Sequence, residues 1–162
     1  MPHRILFVSR RNSLRSVLAQ ACLSHMAGHA FVAQSCGQPG WVDRAIHPAA
    51  LAALAAARIP VPAAAPRAWT DLWRVAPPRL DFVVTLDERC IADEPAWPGQ
   101  PISGLWAYDD AAALADRQEA ERSALRTLYS LQRRLELLIN LPLGHGDTSA
   151  LRSDLRDLGH MG

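Results

Sequence analysis

The chain has 162 residues, 49% of them apolar, enough to bury a continuous core as one domain. A formal net charge of +1 excludes a general electrostatic pull toward nucleic acid or a membrane surface, so any anion affinity must come from a local arrangement of donors. All 17 basic residues are arginine, which reads as compositional bias and makes a raw arginine count uninformative. Cys22, Cys36 and Cys90 are odd in number and far apart, so they form neither a disulfide framework nor a zinc pattern, and a reducing, cytoplasmic compartment is expected. The segment Met1 to Arg4 leads into an apolar stretch too short for a signal peptide or a membrane span.

Arg4 to Val8 reads as a buried, central strand, and Ser9 to Ser13 as the loop that follows it. Val17, Leu18, Ala21, Cys22, His25 and Met26 recur at helical spacing from Leu14 to a stop at Gly28. Phe31 to Ser35 predicts a second strand, and Cys36 to Gly40 a turn. A second helix is expected from Pro48 through Leu51 and Leu54 to about Ala57, with proline in its first turn. The stretch Ile59 to Pro66 is a connector within the domain, and Trp69 to Val75 a short helix. Leu80 to Leu86 is apolar enough for a strand buried on both faces, and a loop runs from Asp87 to Gly99.

Pro101 to Trp106 gives a weaker fourth strand, followed by the acidic loop at Asp109 and Asp110. A long helix begins near Asp116, with Leu128, Leu131, Leu135 and Leu138 on one stripe. Pro142, Leu143 and Gly144 break it, and Asp147 or Thr148 caps a last helix whose Leu151, Leu155 and Leu158 share a face. That face packs on its own domain or forms a homodimer contact, and amphipathicity alone leaves both open. The expected fold is α/β: residues 1–162 form a single three-layer sandwich with a four-stranded parallel sheet flanked by helices, and residues 143–162 form a C-terminal helical extension. In such a fold the site lies at the C-terminal ends of the strands.

The segment Ser9, Arg10, Arg11, Asn12, Ser13, Leu14, Arg15, Ser16 lies between the first strand and the first helix. A short loop there gathers backbone N–H groups on one spot, and the helix N-terminus adds partial positive charge, so the main chain can hold a tetrahedral oxyanion. Arg15 would add a planar fork matched to two of its oxygens. Ser16 is placed to hydrogen-bond position 9, and Asn12 to brace the loop or take a left-handed conformation. Arg10 and Arg11 either widen the pull on a phosphorylated partner or face water.

The loop resembles that of the low-molecular-weight protein tyrosine phosphatase superfamily, and within it the thioredoxin-coupled arsenate reductase branch. The superfamily motif is a cysteine, five residues, an arginine and a serine at the end of the first strand. Asn12, Arg15 and Ser16 match it, and Ser9 stands at the cysteine position. The resemblance extends to Gln34 to Gly37, Ile46 to Ala49, Phe82 to Leu86, Pro95 to Gly99, and Leu105 to Ala111. It implies a phosphotyrosine phosphatase I-like fold and phosphate, arsenate or a phosphorylated ligand as partner. It also implies catalytic roles for the residues at Ser9, Arg15 and Asp109, the last as the acid that protonates the leaving oxygen. The proline that usually follows that acid is Asp110 here.

In the superfamily the attacking group is a thiolate, made available by loop N–H groups and arginine that depress its pKa to roughly 3.5–7.5. A serine hydroxyl cannot be activated in that way and needs a base, and neither His3 nor His47 sits in a motif that makes it one. The reductase branch also uses two further cysteines, expected where this chain has Asp87 and Glu94, with Cys90 between them. An oxyanion-binding protein with impaired catalysis is therefore expected. The alternatives are an active phosphatase using Ser9 or water with Asp109 as acid, and an engineered cysteine-to-serine form of an active phosphatase. His25 and His29 have the spacing of a metal pair but no third ligand, and no cofactor fingerprint occurs. The five tryptophans are expected in core and pocket walls.

Overall fold

The computed structural model describes residues 2–72, 79–143 and 148–161. Four parallel strands, β1 (His3–Val8), β2 (Phe31–Cys36), β3 (Phe82–Thr85) and β4 (Ile102–Leu105), form one sheet in the order β2-β1-β3-β4. Strand β1 is interior because Ile5 to Val8 are all fully buried, a pattern that suits a strand paired on both edges and covered on both faces. The helices are α1 (Arg15–Ala27), α2 (Pro48–Ala57), α3 (Arg117–Ile139) and α4 (Thr148–Leu158).

The sheet sorts its side chains by alternation. Ile5, Phe7 and Val84 share a core with Leu18, Leu54, Leu128, Leu135 and Leu155, which brings all four α-helices to one face. On the opposite face, Leu6, Val8 and Val83 pack with Trp69, Leu80 and Cys90. That layer is built from 3₁₀ turns at Trp69–Asp71 and Glu88–Asp93, so the expected helix from Trp69 is a single turn whose continuation to Val75 lies largely outside the described residues. The turn within the Asp87 to Gly99 loop carries no helical periodicity in the sequence, because 3₁₀ pieces are too short to display one.

Helix boundaries follow local chemistry. Pro48 occupies the first turn of α2, where His47 Nδ1 accepts from the Ala49 N–H at 3.0 Å. Ala49, Ala50, Ala53 and Leu54 are its buried residues, whereas Leu51 is 40% exposed. The carboxylate of Asp116 accepts from the N–H groups of Gln118 and Glu119 and starts α3 as expected. The apolar face of α4 packs on this chain: Leu151, Leu155 and Leu158 are buried, and the Trp106 indole N–H donates to the Leu155 carbonyl at 2.9 Å. Gly159 follows α4 where the Leu105 carbonyl leaves no space for a Cβ. Asp147, the other candidate cap, lies outside the described residues.

Candidate functional site

The loop from Ser9 to Leu14 leaves the C-terminal end of β1; Ser9, Asn12, Ser13 and Leu14, with Arg15 after them, are at most 2% exposed, while Arg10 and Arg11 are half-buried. Its carbonyls are anchored by the surrounding chain. Arg10 accepts from the Gln38 N–H at 3.0 Å, Arg11 from Asp43 at 3.0 Å, and Ser13 from His47 at 2.8 Å. A trans peptide points its N–H opposite its carbonyl, so these anchors turn the N–H groups of Arg11, Asn12 and Leu14 the other way. Among the described residues, the N–H groups of Arg10 through Ser16 donate to no protein acceptor. A largely buried run of unpaired donors at a helix start is the arrangement that a tetrahedral anion satisfies.

Asn12 sets the shape of the loop. Its backbone is left-handed at φ 50°, a conformation that asparagine tolerates better than most residues. Its Nδ2 donates to Ser16 Oγ at 2.8 Å and to Ser35 Oγ at 3.0 Å, while its Oδ1 accepts from the Arg67 N–H at 2.9 Å. Gly37 must lack a side chain there, since a Cβ would come within 3.0 Å of the Arg10 carbonyl and of Asn12 Cβ. The Ser9 hydroxyl donates to Ser16 Oγ at 2.6 Å, and that of Ser13 to Asp43 at 2.6 Å. Leu14 precedes α1 without a side-chain cap and is buried in the core.

Arg15 is also buried, but its guanidinium is already engaged. Nη2 lies 2.9 Å from Asp87 Oδ2 and 3.5 Å from Asp110 Oδ1, and Nη1 donates to the Tyr108 carbonyl at 3.2 Å. Arg89 closes the network from the solvent side, with two hydrogen bonds to the Asp87 carboxylate at 2.9 and 2.7 Å and a contact to Asp110 at 3.4 Å. Burial alone would push the Asp87 carboxyl up, but the hydrogen bonds from Arg89 and the charge of Arg15 outweigh it and hold the group well below the usual carboxylate range. These residues line a cleft of about 290 Å³ together with Glu88, Ala107 and Asp109.

The donor loop and the acidic loop meet at this cleft. Asp109 lines the cleft, is exposed, and makes no ion pair among the described residues, whereas the neighbouring Asp110 is the carboxylate that faces Arg15, Arg89 and Arg11. Arg11 is drawn toward Asp110 at 3.3 Å and Asp43 at 3.9 Å, and Arg10 stacks on Trp41 at 3.6 Å, so neither is simply a solvated charge. The tryptophans divide: Trp106 and Trp69 are buried, Trp41 is 46% exposed, and Trp73 lies outside the described residues.

Neither histidine considered as a base hydrogen-bonds the Ser9 hydroxyl. His3 opens β1 at the far end of the strand, and His47 caps α2 through its ring nitrogen. Helix α1 ends at Ala27, so His29 falls outside the helix that carries His25. Glu94 accepts hydrogen bonds from Thr85 at 2.6 Å and from the Trp97 indole at 3.2 Å, which makes it a brace between β3 and its following loop. Cys90 and Cys22 are buried, and burial pushes their thiols up to about 12; the Cys36 thiol is raised as well. Sequence reasoning registered Asp87 only as a missing cysteine. It meets Arg15 because it follows β3, which pairs with β1, and no residue pattern around it signals that contact.

The fold and site define a class, an α/β protein with a buried donor loop between its first strand and helix. The chain belongs to the low molecular weight phosphotyrosine protein phosphatase family, whose profile matches residues 4–121. Among solved structures it is similar to an arsenate reductase in the phosphate binding state (22% identity, TM-score 0.68, 85% of this chain and 96% of that one). It also resembles the Corynebacterium glutamicum thioredoxin-dependent arsenate reductase (26% identity, TM-score 0.58, 85% of this chain and 63% of that one). A third similar structure is the low molecular weight protein tyrosine phosphatase from T. tengcongensis (16% identity, TM-score 0.63, 85% and 97%). A comparison with curated proteins finds no match. No helix among the described residues is long and apolar enough to cross a membrane.

Proposed function

We propose that this protein binds phosphate, arsenate or the phosphoryl group of a larger ligand in the loop Ser9 to Arg15, and that it turns such ligands over poorly. The observation that carries the reading is the run of unpaired N–H groups from Arg10 to Ser16, on residues buried from Asn12 onward, beside a hydroxyl where a thiolate would be needed. Main-chain donors and the α1 N-terminus supply the anion cradle, and Arg15 supplies the fork that would bridge two equatorial oxygens.

Ser9 limits the chemistry. The family's attack on phosphorus uses cysteine, whose thiolate the cradle itself stabilises, whereas a hydroxyl requires a base to take its proton. Among the described residues no imidazole or carboxylate hydrogen-bonds the Ser9 hydroxyl, which donates to Ser16 instead. Asp87 and Glu94, in place of two further thiols, leave no relay for arsenate reduction, and the buried Cys90 is a poor substitute. The three reduced, buried cysteines suit a cytoplasmic setting.

The test is turnover of a small aryl phosphate together with calorimetric binding of inorganic phosphate and arsenate, for the parent chain and Ser9→Cys. Binding without turnover in the parent, with hydrolysis gained in Ser9→Cys, is expected. Turnover by the parent that vanishes in Ser9→Ala would show Ser9 to be a working nucleophile, and absence of binding in both forms would remove the loop as an oxyanion site.

A further inference from the structure

The arginine that an oxyanion would need already carries an anion of the protein's own. Arg15 and Asp87 are each 3% exposed at the side chain and lie 2.9 Å apart, with Asp110, 11% exposed, as a second carboxylate at 3.5 Å. Among the described residues neither carboxylate hydrogen-bonds the loop's N–H groups, so the main-chain cradle stays unpaired while its cation is taken. Arg89, 48% exposed, also holds both carboxylates and shares Asp87 Oδ2 with Arg15. It and Arg11, 35% exposed and 3.3 Å from Asp110, are the members of the cluster with freedom to follow the carboxylates as they move.

We infer that Asp87, seconded by Asp110, is an internal competitor for the oxyanion site: a ligand entering the loop must take Arg15 from the two carboxylates, which then remain on Arg89. The inference rests on the reading of the loop as an oxyanion site and adds the regulation of that site. Two consequences follow from charge. An oxyanion and the Asp87 carboxylate cannot share a buried guanidinium without repulsion, so affinity for a small dianion is set by the cost of displacing Asp87. Arg89 lowers that cost because it leaves the displaced carboxylate paired. The residue found where the reductase branch would place a thiol therefore both removes that thiol and supplies the competing anion.

The experiment is calorimetric titration of the full chain with inorganic phosphate, comparing the parent with Asp87→Asn, Arg89→Ala, Arg15→Ala and the Asp87→Asn/Arg15→Ala pair. Asparagine keeps an acceptor for the Arg89 N–H at the start of the 3₁₀ turn, and Asp110 still accompanies Arg15, so the fold is expected to persist; near-ultraviolet circular dichroism verifies it. Asp87→Asn should tighten phosphate by at least about tenfold, a gain that Arg15→Ala cancels. Arg89→Ala should weaken phosphate by roughly threefold or more, and this variant tests the idea independently should Asp87→Asn not fold. Phosphate affinity that falls in Arg15→Ala but is unchanged in Asp87→Asn and in Arg89→Ala would overturn the internal competitor while leaving the oxyanion site standing. No phosphate binding by the parent or by Asp87→Asn would overturn the oxyanion reading itself, and the competitor with it.

Discussion

The hydroxyl of Ser9 donates to the hydroxyl of Ser16 across 2.6 Å, and both residues are buried. Ser16 Oγ also accepts from the Asn12 amide, so it is a fixed acceptor that orients Ser9 and does not draw its proton away. The same pocket would stabilise a thiolate. Ser9→Cys is expected to gain aryl phosphate hydrolysis of at least about tenfold over the parent, because the cradle then acts on a group it can ionise. Adding Asp87→Asn should raise that gain further. Initial rates measured on both variants check this, and a Ser9→Cys rate equal to the parent's would remove the nucleophile as the missing part.

Asn12 ties three neighbours together with one side chain: it holds Ser16, Ser35 and the Arg67 N–H while its backbone sits at φ 50°. Asn12→Ala leaves these buried partners unpaired and adds a Cβ-only residue in a left-handed conformation. A loss of about 2–4 kcal/mol in urea unfolding is expected, together with loss of phosphate binding. Asn12→Asp, which keeps shape but loses the two amide donations, should fall between.

Acid stability should report on Asp87. Its carboxyl is held below the ordinary value of 3.8 in the folded protein, so its contribution to stability is present above that value and is lost as the pH falls beneath it. Between about pH 5 and pH 2 the parent should therefore lose stability more steeply than Asp87→Asn. Parallel pH profiles in urea unfolding would show that the Arg15 and Arg89 partners do not depress the carboxyl.

The thiols should be inert in the native protein. Cys22, Cys36 and Cys90 are buried and their pKa values are raised, so a disulfide reagent at about pH 8 should meet almost no thiolate. All three should titrate after denaturation. Fast native modification of Cys90 would revive a redox role for the loop after β3.

Trp106 ties α4 to the strand end through its hydrogen bond to the Leu155 carbonyl, two residues before Tyr108 delivers its carbonyl to Arg15. Trp106→Phe removes the bond and some buried area, for a cost of about 1–3 kcal/mol. Faster amide exchange is expected in 148–158 and in the Tyr108 to Asp110 segment together. Exchange that accelerates in the helix alone would mean that α4 does not brace the site.

The strands, the loop, the first helix and the leucine stripe of α3 could be read from residue order because each is decided by neighbours within a few positions. Apolar runs, a proline at Pro48, a cap at Asp116 and a donor-rich segment after Val8 act locally, and the structure places them within a residue or two of expectation. A four-stranded parallel sheet likewise follows from alternating elements and their connections, whereas the order β2-β1-β3-β4 is seen only in the structure. The 3₁₀ layer over the second face was hidden, since its residues bury themselves by contact with Trp69 and Cys90 and display no period of their own.

Which carboxylates would face Arg15 was decided by tertiary structure. Asp109 and Asp110 are adjacent in sequence, and the choice between them falls to Asp110 because the chain is fixed by the Tyr108 N–H on the Leu86 carbonyl at 3.1 Å and turns at Ala111. Asp87 reaches Arg15 only because β3 lies beside β1. The sequence by itself determined the elements, the donor loop and the serine at its head, all properties of short stretches of chain. The pairing of a buried arginine with two distant carboxylates belongs to the packed sheet, because ion pairs form between residues that the fold brings within a few ångströms, whatever their separation along the chain.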